Sequence, residues 1–153
     1  MSILVRRLIF VVSRNCRRMI STVTFEDVKK LVTGSTSNDF CLIDVRRPDE
    51  IQSTGQVPCS FNIPSMLGAT AFHNMRLFTS FFVVADLPSA LGLSDKEFEE
   101  KYSVAKPSKQ SLLIFTCQMG GRAEMATKLA RELGYSNAKC YRGSWQEWSN
   151  RYK

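Results

Sequence analysis

Histidine is almost missing from this sequence. The 153 residues include one, His73, which counts against a cysteine protease or transferase that works through a histidine base. Clustered metal ligands are missing too. Cys16, Cys41, Cys59, Cys117 and Cys140 are scattered, with no C-x-x-C pair, so a structural zinc or other metal site is not expected. An odd number of dispersed cysteines also fits free thiols better than a disulfide framework. There is no internal repeat and no low-complexity linker. What remains is 44% hydrophobic and 23% charged, the balance of one soluble domain with a real core.

Acidic residues are absent from the first 25 positions, which carry Arg6, Arg7, Arg14, Arg17 and Arg18. The chain's net charge of +7 therefore misleads. Without this segment, 16 basic residues face 14 acidic ones, a net +2, and nothing in the body calls for nucleic acid. Arginines alternating with apolar residues and serines, without acids, are the composition of a mitochondrial transit peptide. Residues 1–21 are read in that way, with a disordered basic tail as the rival. The longest uncharged run there, Leu8 to Ser13, spans six residues. That is too short for a secretory signal core or a transmembrane segment. The expected location is the mitochondrial matrix, with the cytoplasm as the alternative.

In the body, Thr24 reads as an N-cap, with Phe25, Val28, Leu31 and Val32 as an apolar helical stripe ending at Gly34. Phe40 to Asp44 reads as a buried strand. Pro48, followed by Asp49 and Glu50, opens a short helix. Phe61 to Pro64 is a short extended piece. Ser94-Asp-Lys-Glu97 is a capping box that opens a helix through Tyr102. Ser111 to Thr116 is a continuous apolar run, as suits a strand covered on both faces. Met125, Ala126, Leu129, Ala130 and Leu133 then recur at helical spacing, with Gly134 as the C′ residue. Ala138 to Tyr141 is a final strand and Ser144 to Trp148 a final short helix. Strands alternating with helices imply an α/β fold around a mainly parallel sheet.

Between the best strand and the helix after it lies Cys117-Gln-Met-Gly-Gly-Arg122. Ligands of parallel α/β sheets bind at the carboxyl ends of strands. The loop amides and the helix N-terminus present partial positive charge there. Gly120 and Gly121 let the backbone curl into an anion nest, and Arg122 adds a permanent charge. All of these favour Cys117 as the thiolate, the nucleophilic form. The bland alternative is a small buried cysteine before a turn.

Four motifs in order resemble the rhodanese family of thiosulfate sulfurtransferases. They are Leu42-Ile-Asp-Val-Arg-Arg-Pro-Asp-Glu-Ile51, Gly55-Gln-Val-Pro58 with Phe61-Asn-Ile-Pro64, the loop Cys117 to Arg122, and Tyr141-Arg-Gly-Ser-Trp-Gln-Glu-Trp148. The resemblance implies a rhodanese domain over residues 22–153, with helices on both faces of the sheet. It implies Cys117 as catalytic nucleophile, taking sulfur from thiosulfate or a persulfide donor and holding it as a persulfide. Gln118, Met119, Gly120, Gly121 and Arg122 would bind the substrate. Asp44 and Arg46 would brace the neighbouring loop as an ion pair. The acceptor would be cyanide or a thiol such as glutathione or a protein thiol; no cofactor is called for, and a monomer is expected.

The chain departs from the family at several places. Gln56 stands for the usual histidine, Cys59 for glycine or alanine, and Ser144 for the second glycine before Trp145. These three are expected to bear on packing rather than catalysis, with Cys59 buried; a resolving thiol near the site is the lesser alternative. Gln118 and Met119 are uncharged, so weak thiosulfate:cyanide activity is expected. Residues 66–86 form an atypical Phe-rich insert, open to reading as an added strand or helix, a membrane-facing patch, or a retained-intron or gene-model artefact. Two other functions stay in view. One is a non-catalytic rhodanese-like binding module. The other is a Cdc25-type phosphatase or arsenate reductase, whose phosphatase loop is C-x5-R; here Cys117 to Arg122 is C-x4-R.

Overall fold

Two apolar runs set the centre of the molecule. In the computed structural model, which describes residues 20–34, 40–64 and 86–152, they become adjacent parallel strands. The elements in order are β1 (Thr22–Val23), α1 (Phe25–Gly34), β2 (Phe40–Asp44), α2 (Pro48–Thr54), β3 (Ser60–Asn62), α3 (Asp86–Gly92), α4 (Asp95–Tyr102), β4 (Leu112–Thr116), α5 (Gly121–Glu132), β5 (Ala138–Tyr141) and α6 (Ser144–Arg151). The sheet order is β1-β5-β4-β2-β3, and all four pairings are parallel.

Strand alternation splits the core into two layers. Ile43, Leu113 and Phe115 face one layer with Leu87, Leu91, Phe98, Ala126 and Ala130, so α3, α4 and α5 cover that face. Leu42 and Ile114 face the other, with Phe25, Val28 and Trp148 of α1 and α6. The sheet is thus parallel and flanked by helices on both faces. β1 and α3 are not anticipated by the sequence reading. Two residues are too few to show alternation, and α3 has one short apolar set, Leu87, Ala90 and Leu91, with Pro88 in its first turn, where a missing N–H costs nothing.

The helix ends follow the local chemistry. The Asp27 N–H donates to Thr24 Oγ1 at 3.2 Å and the Thr24 N–H to Asp27 Oδ2 at 2.9 Å, a capping box closed by aspartate. Ser94 and Glu97 exchange the equivalent pair at 3.3 and 2.9 Å. α5 ends in a Schellman motif: the Tyr135 N–H donates to the Ala130 carbonyl and the Gly134 N–H to the Arg131 carbonyl, both at 3.0 Å.

Register brings the functional segments level. Asp44 pairs with Thr116 on one side and with Asn62 on the other. The chain therefore leaves β2 at Val45-Arg46 and β4 at Cys117-Gln118 side by side, at the carboxyl edge of the sheet.

Candidate active site

Past Thr116 the chain turns through Cys117 to Gly120 and enters α5. Cys117 is buried, 2% exposed. The Gly120 N–H donates to its Sγ at 3.0 Å. Gly120 has φ +91°, and a Cβ there would lie 2.3 Å from the Arg142 carbonyl oxygen. Only glycine fits, because its conformation is left-handed and a neighbouring backbone is in the way. Gly121 differs: its φ is not positive and the space beside it is open, so the loop needs one glycine and not two.

A second helix start converges on the same sulfur. The Trp145 N–H donates to the Cys117 carbonyl at 2.9 Å and the Gln146 N–H to the Gln118 carbonyl at 3.1 Å. Two orphan donors of the α6 first turn are satisfied in this way. In a planar trans peptide the C=O and N–H point in opposite directions. With these two carbonyls drawn toward α6, the amides of Gln118 and Met119 point away from it. Ser144, the first residue of α6, is fully buried with φ +52°. Its hydroxyl accepts the Cys117 N–H at 3.1 Å, donates to the Tyr141 carbonyl at 2.9 Å and lies 3.7 Å from Sγ.

Asp44 and Arg46 are both fully buried and form an ion pair at 2.8 Å. The Arg46 guanidinium spends its remaining donors on Thr54 Oγ1 at 2.9 Å, the Gly55 carbonyl at 2.7 Å and Gln118 Oε1 at 3.3 Å, and it lies 5.2 Å from the Trp145 ring. A buried charge needs this degree of pairing to persist. The pair thereby ties β2, α2 and the Cys117 loop together.

Arg122 does not stand free. It makes a bidentate pair with Glu50 of α2, at 2.7 and 2.6 Å. The Arg122 hydrogen bonds, with help from the Arg47 N–H, hold the Glu50 carboxyl well below its usual range, at about 2. Arg122 in turn is held charged chiefly by Glu50, with a smaller contribution from Cys117.

Of the residues expected at the site, the structure brings Cys117, Gln118 and Gly120 into one loop and Gly121 and Arg122 into the first turn of α5 that follows it, with Asp44 and Arg46 against the loop. Met119 lies between Gln118 and Gly120 and is 72% exposed. Two expectations are corrected. Cys59 is exposed, at φ +62° in the turn before β3, the left-handed conformation that favours the glycine more usual there. It is also no resolving thiol. Register sets Ser60 level with Ile114 through Leu42, so Cys59 lies about 13 Å below Cys117 along the sheet. Ser144, expected only to pack, touches the sulfur. Glu50 was also missed as a site residue; its place three residues after an N-cap gave no hint that it reaches Arg122. The Phe-rich insert lies, but for Asp86, outside the described residues, and so does the N-terminal segment through residue 19.

Comparison with known proteins identifies the family. The model of the Rhodanese-like domain family matches residues 24–151. The rhodanese domain-containing protein CG4456 of Drosophila melanogaster is 40% identical over 84% of this chain and 96% of its own length. The human thiosulfate:glutathione sulfurtransferase is 34% identical over 83% of this chain and 91% of its own. The mitochondrial thiosulfate sulfurtransferase RDL2 of Saccharomyces cerevisiae is 37% identical over 82% of this chain and 70% of its own. The crystal structure of that yeast protein superimposes with a TM-score of 0.65, covering 88% of this chain and 93% of the other at 34% identity. With the family pattern over residues 24–151 and the same fold beneath it, the chain belongs to the rhodanese family.

Proposed function

We propose that this protein is a sulfurtransferase that carries a sulfane sulfur on Cys117 as a persulfide and passes it to a thiol. The observation behind this is the seat of Cys117. Its sulfur lies past the end of a central strand, 3.0 Å from the Gly120 N–H, in a loop of four residues before Arg122. The thiolate attacks the outer sulfur of the donor. The Sγ–S bond forms as the donor's S–S bond breaks, and with thiosulfate the electron pair leaves on sulfite. The amides of Gln118 and Met119 and the first turn of α5 supply donors for the outer sulfur. An acceptor thiolate, of glutathione or of a protein, then attacks that sulfur, and the electron pair returns to Sγ. This chemistry needs neither metal nor organic cofactor.

Arg46 and Asp44 position the loop through Gln118. Arg122 adds positive field at the cysteine, but Glu50 offsets most of its charge. A dianion such as thiosulfate is therefore bound weakly, and a monoanionic persulfide donor suits the loop better. Residues 1–21 act as a transit peptide that takes the protein to the mitochondrial matrix, as their composition and the mitochondrial yeast relative support. Deleting them should leave the protein in the cytosol on cell fractionation. For the chemistry, the protein with thiosulfate and glutathione should release sulfite continuously, and Cys117→Ser should not. Equal release by the two proteins would overturn the assignment.

A further inference from the structure

We propose, building on Cys117 as the sulfur carrier, that the Ser144 hydroxyl is the switchable donor that stabilises the charge on Cys117 Sγ as the persulfide hands its sulfur to the acceptor. A hydroxyl has one proton to donate. In the structure that proton has two claimants, the Tyr141 carbonyl at 2.9 Å and Cys117 Sγ at 3.7 Å. Meanwhile the oxygen accepts the Cys117 N–H at 3.1 Å, which anchors it beside the sulfur. Moving the proton between claimants needs only rotation about the Cβ–Oγ bond. An anionic sulfur attracts it more strongly than a neutral carbonyl, because hydrogen bonds to ionised acceptors are the stronger ones.

The charge on Sγ changes in each half-reaction. In delivery, the persulfide, formed as an anion and protonated from solvent, is attacked at its outer sulfur by an acceptor thiolate. A new S–S bond forms on the acceptor, the bond from the outer sulfur to Sγ breaks, and its electron pair lands on Sγ. The products are the acceptor persulfide and the Cys117 thiolate, so atoms and charge balance. Charge thus appears on Sγ in the transition state, within reach of the Gly120 N–H, a fixed donor, and of the Ser144 hydroxyl. In loading the charge leaves Sγ. There a donor to the thiolate raises its population but lowers its nucleophilicity, and the two effects partly cancel.

The backbone supports the assignment. Ser144 sits at φ +52°, where glycine is at ease and serine is strained. A serine held in that conformation, fully buried and touching the reacting atom, is a place where strain accompanies chemistry.

The test compares wild type, Ser144→Gly and Ser144→Ala in single-turnover experiments. Glycine removes the hydroxyl and relieves the strain; alanine removes the hydroxyl and keeps it. Protein loaded with sulfur from thiosulfate is freed of excess donor and mixed with glutathione or cyanide, and loss of the persulfide is followed by mass and absorbance. Both variants should discharge about 10-fold more slowly or worse, and load within about threefold of wild type. If Ser144→Ala fails to fold, Ser144→Gly carries the test alone. Discharge of Ser144→Gly at the wild-type rate would overturn the role. An equal fall in loading and discharge would also overturn it, since that marks a distorted loop. Wild type that takes up no sulfur refutes the sulfur-carrier role of Cys117, and this one with it.

Discussion

Cys117 and Cys140 are close neighbours with opposite surroundings. They lie on the adjacent strands β4 and β5 or just past them, and both are buried, 2% and 1% exposed. Gly120 serves both. Its N–H donates to Cys117 Sγ at 3.0 Å, while its carbonyl lies 4.0 Å from Cys140 Sγ and accepts from that thiol. Burial first, and then the charge of Cys117, pushes the Cys140 thiol up to about 11. A donor N–H favours the anion; an apolar seat with a carbonyl acceptor favours the neutral thiol. Burial is common to the two sulfurs and does not separate them. What separates them is the group of Gly120 that each meets, an N–H at Cys117 and a carbonyl at Cys140, and a left-handed glycine sets both.

Four substitutions probe this difference. The largest effect is expected from Cys117→Ser, which should abolish sulfur transfer from thiosulfate to glutathione in a sulfite-release assay. Gly120→Ala comes next. Its Cβ would meet the Arg142 carbonyl at 2.3 Å, and moving the loop by a fraction of that distance should cost about 100-fold in turnover. Glu50→Gln should lower the KM for thiosulfate by about two- to fivefold, because the Arg122 charge is then no longer offset by a carboxylate. The smallest effect belongs to Cys140→Ala. Its turnover should stay within about twofold of wild type, with a loss of about 1 kcal/mol in chemical denaturation. Turnover that fell as far as in Gly120→Ala would break the contrast between the two thiols.

Glu50 also gives a signature in acid. Its carboxyl is lowered from 4.5 to about 2 in the folded protein, so its ion pair stabilises the fold fully above the unfolded value and is lost as pH falls through the folded one. The difference in melting temperature between wild type and Glu50→Gln should hold above pH 4.5 and shrink toward pH 2. A difference constant down to pH 2 would mean that the pair contributes nothing through its charge.

Much of the fold was legible because it rests on local signals. The apolar runs at Phe40–Asp44 and Leu112–Thr116, the capping residues Thr24 and Ser94, and Gly134 each specify an element within a few residues. Cys117, Gly120 and the four-residue spacing to Arg122 were legible for the same reason. What stayed hidden depends on distant residues meeting. Glu50 and Arg122 are 72 positions apart, and Cys117 and Ser144 are 27 apart. No periodicity reports such a pairing. The sequence could say that Ser144 and Cys59 stand where glycine is usual. Both prove to have positive φ, but only the parallel register tells that one lies on the reactive sulfur and the other about 13 Å away along the sheet.

The most direct measurement is intact-mass analysis with peptide mapping after incubation with thiosulfate or glutathione persulfide. One added sulfur atom should map to Cys117 and disappear with cyanide or excess thiol, and Cys117→Ser should show none. An unmodified protein, or a sulfur that maps to Cys140 or another cysteine, would contradict the assignment of Cys117 as the sulfur carrier.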